Sequence, residues 1–257
     1  MKEVYFDNSA TTMLDKSVLD AMMPYLTECY GNASAIYKIG RDSKRAIEEA
    51  REKVAKVLNC KPSEVYFTSG GSESDNTAIK GIARANRIKG NHIITSKIEH
   101  PAVIETCKEL EKEGFEVSYI GVDENGIINI DELENAIKPE TILISVMFAN
   151  NEIGTVEPIR EIGEIARENN IYFHTDAVQA VGNLKIDVQE LNIDSLSLSA
   201  HKLYGPKGIG ALYVKTGVNF EKYISGGHQE RNKRSGTENV AGIVGLRKSN
   251  RDSRFNN

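Results

Sequence analysis

The sequence predicts an α/β protein whose mostly parallel, seven-stranded sheet lies between helices. Three observations predict it. Helical patterns alternate with short β-branched or aromatic runs along most of the chain, which is the arrangement of successive βαβ units. Several runs, such as Ile142-Leu143-Ile144-Ser145-Val146, are almost continuously apolar, as strands become when helices cover both sheet faces. Residues able to carry chemistry gather just after these runs, where open α/β sheets bind ligands.

The elements follow in order. Helical patterns occupy residues 16–30 and 43–58, behind an N-terminal segment of residues 1–15. A strand run at 65–68 passes through a glycine pair into a helical pattern at 73–88. Runs at 92–95 and 116–120 flank a helical pattern at 101–113; patterns at 130–137 and 158–169 precede the runs 141–148 and 171–175. The last runs are 195–199 and 210–214, and residues 240–246 are apolar and compatible with a helix. From Arg247 the chain is polar but for Phe255 and has no periodicity. The expected organisation is a segment (1–15), one large domain (16–246) and a polar tail (247–257).

Composition narrows the function. A chain of 257 residues can bury a sizeable core, and 40% hydrophobic with 27% charged residues is ordinary for a soluble protein. A net charge of -5 supplies no basic footprint, so nucleic acid is not an expected partner. The longest apolar stretch, 141–149, is too short to span a bilayer, and a carboxylate interrupts the N-terminus before any signal-peptide core. Cys29, Cys60 and Cys107 lie far apart without CxxC spacing, which argues against a disulfide framework or zinc site and points to a reducing compartment, the cytoplasm by default. The five histidines show no metal-ligand spacing, so no metal is expected.

Three segments can carry chemistry. In Phe67-Thr68-Ser69-Gly70-Gly71-Ser72-Glu73, a strand runs through two glycines into a helix. A helix start offers unpaired N–H groups to an anion, and Ser72 can either cap the helix or bond a phosphate. The Walker A and G-x-G-x-x-G patterns are both absent there. In Phe173-His174-Thr175-Asp176-Ala177-Val178-Gln179 a carboxylate ends a buried strand. It either caps the next element or holds a proton on a pyridine nitrogen, with Gln179 beside a ring oxygen. In Ser199-Ala200-His201-Lys202-Leu203-Tyr204-Gly205-Pro206 a strand delivers His201 and Lys202 into a Gly/Pro loop. Such a lysine is either an ordinary surface cation or one whose lowered pKa suits a Schiff base. Two smaller features join them: His100, before Pro101 at a helix start, and the amide pair Asn150-Asn151 after an apolar strand.

Taken together, these segments resemble the cysteine desulfurases, the NifS/IscS-like branch of the class V aminotransferase superfamily, from Tyr5-Phe6-Asp7-Asn8-Ser9-Ala10-Thr11-Thr12 to about Leu246. The resemblance implies a type I fold for pyridoxal 5'-phosphate (PLP) enzymes, with this chain as its large domain. It implies that Lys202 is the catalytic lysine joined to the cofactor and that His100, stacked over the ring, is catalytic too. Asp176 would partner the pyridine nitrogen and Gln179 the ring hydroxyl. Gly71, Ser72, Ser199 and His201 would hold the phosphate, and Asn151 would sit near the substrate. Thr237 would reach the phosphate of a second subunit, which implies a homodimer. The implied reaction converts L-cysteine to L-alanine through a cysteine persulfide, for a sulfur acceptor or iron–sulfur scaffold protein. The family's nucleophilic cysteine and most of its small C-terminal domain are expected to be missing, so this chain is expected to be truncated and inactive as given. One permitted back-translation of the tail, shifted by one base, reads Gly-Lys-Ala-Ile-Glu-Ile-Ala-Asp-Ser-Ile, which raises the expectation of a frameshift near codon 247. Loss of the small domain is expected to expose an N-terminal strand and residues 240–246. Two other readings stay open: another enzyme on the same scaffold, such as a selenocysteine lyase or aminotransferase, and a non-catalytic PLP-binding remnant.

Overall fold

The computed structural model of the chain describes residues 4–249. Helices α1 (Lys16–Thr27) and α2 (Lys38–Leu58) come first, then β1 (Val65–Thr68) and α3 (Gly71–Ala85). Next are β2 (His92–Ser96), α4 (Pro101–Lys112), β3 (Glu116–Ile120), α5 (Ile130–Asn135) and β4 (Thr141–Ser145). The chain continues through α6 (Ile159–Glu168), β5 (Tyr172–Asp176), β6 (Ser195–Ser199) and β7 (Gly210–Val214). The short α7 (Gln229–Asn232) and then α8 (Val240–Ser249) close the described chain.

The seven strands form one sheet in the order β1-β7-β6-β5-β4-β2-β3. β7 alone runs against its neighbours, pairing antiparallel with both β1 and β6, and the other four pairings are parallel. Alternate strand residues enter two separate cores. Ile93, Leu143 and Leu212 pack with Ile79 and Ile82 of α3 and Leu110 of α4. Ile94, Ile144 and Tyr213 pack on the other face with Val54 of α2 and Ile162 of α6. With helices on both faces, every residue of β2, β4, β6 and β7 is buried, which lets β4 run almost continuously apolar, while β6 alternates serine with leucine.

Local chemistry sets the helix ends. Asp15 caps α1 by accepting the Ser17 N–H at 2.8 Å, and Asn129 caps α5 through the Glu132 N–H at 2.9 Å. Pro101 occupies the first turn of α4, where its missing N–H breaks no helical bond. Asn59 ends α2 in the left-handed conformation, φ 55°.

Three expectations are corrected. The helix over 240–246 does not stop at Leu246: α8 runs to Ser249, so residues 247–249 are helical, and Arg247 pairs with Glu49. The rest of the expected polar tail lies outside the described residues. Residues 241–246 are buried rather than exposed, because α8 packs against both α1 and α2. No strand forms at residues 4–15, though Val4, Tyr5 and Phe6 are exposed as expected.

Candidate active site

The carboxyl ends of β1, β2, β4, β5 and β6 open onto one cleft of about 390 Å³. Of the ten nominated residues, nine line it. Gly71, Ser72 and His100 come from the starts of α3 and α4, and Asn151 from the turn after β4. Asp176 ends β5 with Gln179 three residues on, while Ser199 ends β6 with His201 and Lys202 just after it. Thr237 lies elsewhere, exposed in a neighbouring hollow beside Ser69 and Arg234.

At the phosphate-type loop, Gly70 adopts φ 154° and ψ -176°, a backbone state that costs a non-glycine residue dearly. A Cβ on Gly71 would lie 2.7 Å from Val178 Cγ2, so glycine lets α3 begin close to the end of β5. Gly70 is the residue before α3 and has no side-chain cap; Ser72 sits inside the first turn. Ser72 therefore does not cap the helix, and it is exposed at the cleft beside the positive helix end. The loop is braced from behind: Glu73 accepts the Ser69 N–H at 2.8 Å and the Arg234 Nε–H at 2.9 Å. Burial alone would raise the Glu73 carboxyl, but Arg234 and Ser69 bring it below the ordinary range.

The Asp176 carboxylate accepts the Val178 N–H at 2.9 Å. Burial raises its pKa, against the pull of the Val178 N–H, the neighbouring His100 ring and the Lys202 ammonium. Residues 177–180 form a turn and not a helix, so Asp176 caps no helix. Lys202 follows β6 in a single turn of 3₁₀ helix, Ala200–Lys202. Its ammonium donates to the Ser9 carbonyl and, at 2.8 Å, to that of Ala10, while the Gln179 amide donates to Ser9 at 2.9 Å. Partial burial lowers the Lys202 pKa, against the opposing charges of Asp176, Asp7 and Glu152, so more of its amine is free at neutral pH than in an exposed lysine. His201 is lowered as well, first by burial and then by Lys202 and Lys207. Its Nδ1 lies 3.1 Å from the Thr11 hydroxyl. His100 uses Nδ1 to accept the Ala102 N–H at 3.1 Å, capping α4 from inside the cleft.

Several residues at the site escaped the sequence reading. Asp7, Ser9 and Ala10 cross the cleft from the N-terminal segment, and only the resemblance had drawn attention to that stretch. Asp75 also lines the cleft, yet its setting in Ser74-Asp75-Asn76-Thr77 looks like a solvated helix face. Behind it, Glu99 is fully enclosed, and burial pushes its carboxyl up to about 8. Among the described residues, no group of three or more His, Cys, Asp or Glu side chains is placed to hold a metal ion. No helix there is long and apolar enough to cross a membrane.

The family described as aminotransferase class-V matches residues 4–251. The chain belongs to that family. As a class-V aminotransferase it is 63% identical over 248 residues to "Cysteine desulfurase IscS" of Methanosarcina thermophila, covering 96% of this chain and 61% of that protein. It is 60% identical to the protein of the same name from Clostridium botulinum strain Hall, covering 96% and 62%. The chain thus spans about three fifths of the length of these curated relatives. A solved "NifS-like protein" superposes with TM-score 0.95 at 44% identity, covering 97% of this chain and 69% of that one. A structure described as "SspA in complex with cysteine" superposes with TM-score 0.94 at 46% identity, covering 96% and 72%. Class-V aminotransferases of this kind are PLP-dependent, and the donor set fits that cofactor. An amine, a buried carboxylate and a helix start with a glycine cradle meet at one cleft, matching an aldehyde, a pyridine nitrogen and a phosphate.

Proposed function

We propose that the chain is the cofactor-bearing part of a PLP-dependent cysteine desulfurase, an enzyme that converts L-cysteine to L-alanine and hands the sulfur to a protein thiolate. The observation that carries the reading is the meeting of Lys202, Asp176 and His100 in one cleft at the carboxyl ends of the strands. The cofactor, when bound, supplies an electron sink for bond changes at the substrate's Cα. The residues supply the rest. Lys202, part of whose amine is unprotonated, would hold the cofactor through its aldehyde, which requires it to leave the Ser9 and Ala10 carbonyls. Asp176 would keep a proton on the ring nitrogen, Gln179 would serve the ring hydroxyl, and His100 would lie against the ring. Gly71, Ser72, Ser199 and His201 take the phosphate, with the positive end of α3 behind it. Asn151 stands on the substrate side. Thr237, exposed outside the cleft, would serve the partner's phosphate in a homodimer.

None of the three cysteines lines this cleft. Burial pushes the Cys60 and Cys107 thiols up to about 12, far from the thiolate that sulfur transfer needs. These 257 residues therefore bind cofactor and substrate without completing the transfer. In the whole enzyme the sulfur would pass to an acceptor or iron–sulfur scaffold protein in the cytoplasm. The test is to add PLP and reduce with borohydride. A yellow protein absorbing near ~420 nm, with the label on Lys202 and absent from Lys202→Ala, is the expected result. L-cysteine should perturb that spectrum without sustained sulfide release. A label on any other residue, or a folded protein that stays colourless in excess PLP, overturns the reading.

A further inference from the structure

Behind the Asp176 carboxylate stands a second aspartate. Asp75, in the second turn of α3, is 1% exposed and lines the same cleft. Neither of its oxygens has a hydrogen bond of ordinary geometry; the Ser197 hydroxyl, which also meets His174 Nε2 at 3.1 Å, pulls on the carboxyl from beyond that range. The nearest basic group is His174 Nε2, at 3.7 Å from Oδ1. That contact is no ion pair. His174 is fully enclosed and its pKa falls to about 3, so the ring is neutral, held between the hydroxyls of Ser145 at 2.9 Å and Ser197 at 3.1 Å.

Among the described residues, the titratable groups acting on Asp75 are carboxyls, with a neutral ring beside them. β5 presents Asp176 and the neutral His174, and the turn before α4 presents Glu99. β6 contributes only the Ser197 hydroxyl. The Tyr213 hydroxyl of β7 reaches instead to the Ile193 carbonyl. On α4, Cys107 is a buried neutral thiol and Glu109 is bonded to Lys80. Within α3, Glu73 is turned to Arg234. Asp176, by contrast, has an N–H bond and the Lys202 ammonium acting on it. Two enclosed carboxyls acting on each other cannot both ionise cheaply, and the proton goes to the one without compensation.

We infer that Asp75 is a positioning residue for Asp176: a neutral carboxylic acid that keeps the pair's single negative charge on the carboxylate facing the cofactor. This rests on the PLP reading of the cleft. Burial first, then the Asp176 charge, push the Asp75 carboxyl well above the ordinary range against a smaller pull from Ser197, in agreement with the geometry. Asp75 thus donates nothing to the ligand. It acts by declining to carry charge, which leaves Asp176 as the site where a pyridinium proton is held.

Two measurements test this without enzymatic turnover. The first follows the side-chain carboxyls of aspartate, labelled with ¹³C at Cγ, by NMR in the cofactor-free protein. Asp75 should be the last aspartate to lose its proton as pH rises. Its signal should vanish in Asp75→Asn, and in Asp176→Asn it should persist with its midpoint lowered by on the order of one pH unit or more. A last-titrating signal that survives in Asp75→Asn, or a midpoint unmoved in Asp176→Asn, overturns the inference. Asp176→Asn leaves Asp75 intact, so the test stands even if Asp75→Asn fails to fold. The second follows the absorbance of bound PLP through alkaline pH. Besides the change due to the cofactor's own proton, the wild type should show a step at the Asp75 midpoint found by NMR that Asp75→Asn lacks; a step at that pH persisting in Asp75→Asn also overturns it. A protein that binds no PLP sinks the proposed function alone, because the NMR arm needs no cofactor.

Discussion

Lys202 and Asp176 are both moved by burial toward their neutral forms, and each restrains the other. That balance is what a site needs if one group must attack as a free amine while the other stays charged. The carboxylate is the more exposed to test. Asp176→Ala should weaken PLP binding by at least about tenfold in equilibrium dialysis, since it removes a charged hydrogen-bond acceptor from an enclosed site. Gly71→Ala should weaken it comparably by forcing its new Cβ onto Val178. Glu99 makes a pH prediction. Both its hydrogen bonds, from the Ser96 hydroxyl and the Met147 N–H, go to Oε1, while Oε2 has no partner. Its folded pKa of about 8 stands above the model-compound 4.5, so the folded state keeps a proton that the unfolded state loses between those values. Its contribution to stability is thus full below pH 4.5 and declines up to pH 8, by at most about 1.4 kcal/mol per pH unit. Glu99→Gln keeps the Oε1 acceptor, and it should raise the urea midpoint at pH 8 more than at pH 5. Equal changes at both pH values would contradict this account. At this scale the sequence showed which residues could bind, since lysine, aspartate and glycine at strand ends have few other reasons to coincide. It did not show Asp75. A carboxylate on a helix reads as solvated until the strand it faces is known.

Among the elements, the strand runs were the most legible, because short β-branched, aromatic or alternating runs stand out between helical patterns. Four of them, 65–68, 116–120, 195–199 and 210–214, match the strands residue for residue. The run 141–148 is longer than its strand: β4 ends at Ser145, although the Phe148 N–H still donates to the Asp176 carbonyl at 2.8 Å and Val146, Met147 and Phe148 stay buried. α7 was invisible. Glu230, Arg231 and Asn232 all have positive φ, 44°, 56° and 66°, and no glycine announces them. What holds this costly run is a buried ion pair: Arg51 of α2 grips both oxygens of Glu230 at 2.8 Å, and Glu230 also accepts the Phe67 N–H. Such a conformation persists only where its surroundings over-determine it. Glu230→Ala leaves the buried Arg51 charge with only the half-exposed Glu48 carboxylate, 3.2 Å from Nε, and the Val65 carbonyl, and about 3 kcal/mol of stability should be lost in urea unfolding. A loss below 1 kcal/mol would show that the pair is not what fixes α7.

Over the whole molecule, the described chain buries two cores yet leaves large apolar side chains outside. Phe6 is 88% exposed, and Leu19, Met23 and Leu26 of α1 are exposed in company with Tyr30, Ile36 and Tyr37. Scattered apolar residues are normal on a surface, but this many in the first 37 positions favour association. The purified chain should elute ahead of a monomer in size-exclusion chromatography, and Leu26→Lys with Met23→Lys should move it back. A sharp monomer peak for the unaltered chain would refute the expectation. α8, expected at the surface, is instead packed against α1 and α2. An apolar segment near the end of a sequence reads the same whether its cover is a missing domain or two helices from the other end of the chain.

The place of β7 between β1 and β6 has a consequence for biosynthesis. A ribosome makes β1 first of the seven strands, yet β1's one partner is the last to emerge, about 145 residues later. β2 to β6 can zip together as they appear, whereas β1 and the glycine loop behind it must wait for Gly210–Val214 before they are fastened. Translation arrested shortly before residue 210 would leave a nascent chain whose ligand cradle is already written but has nothing to hold it shut.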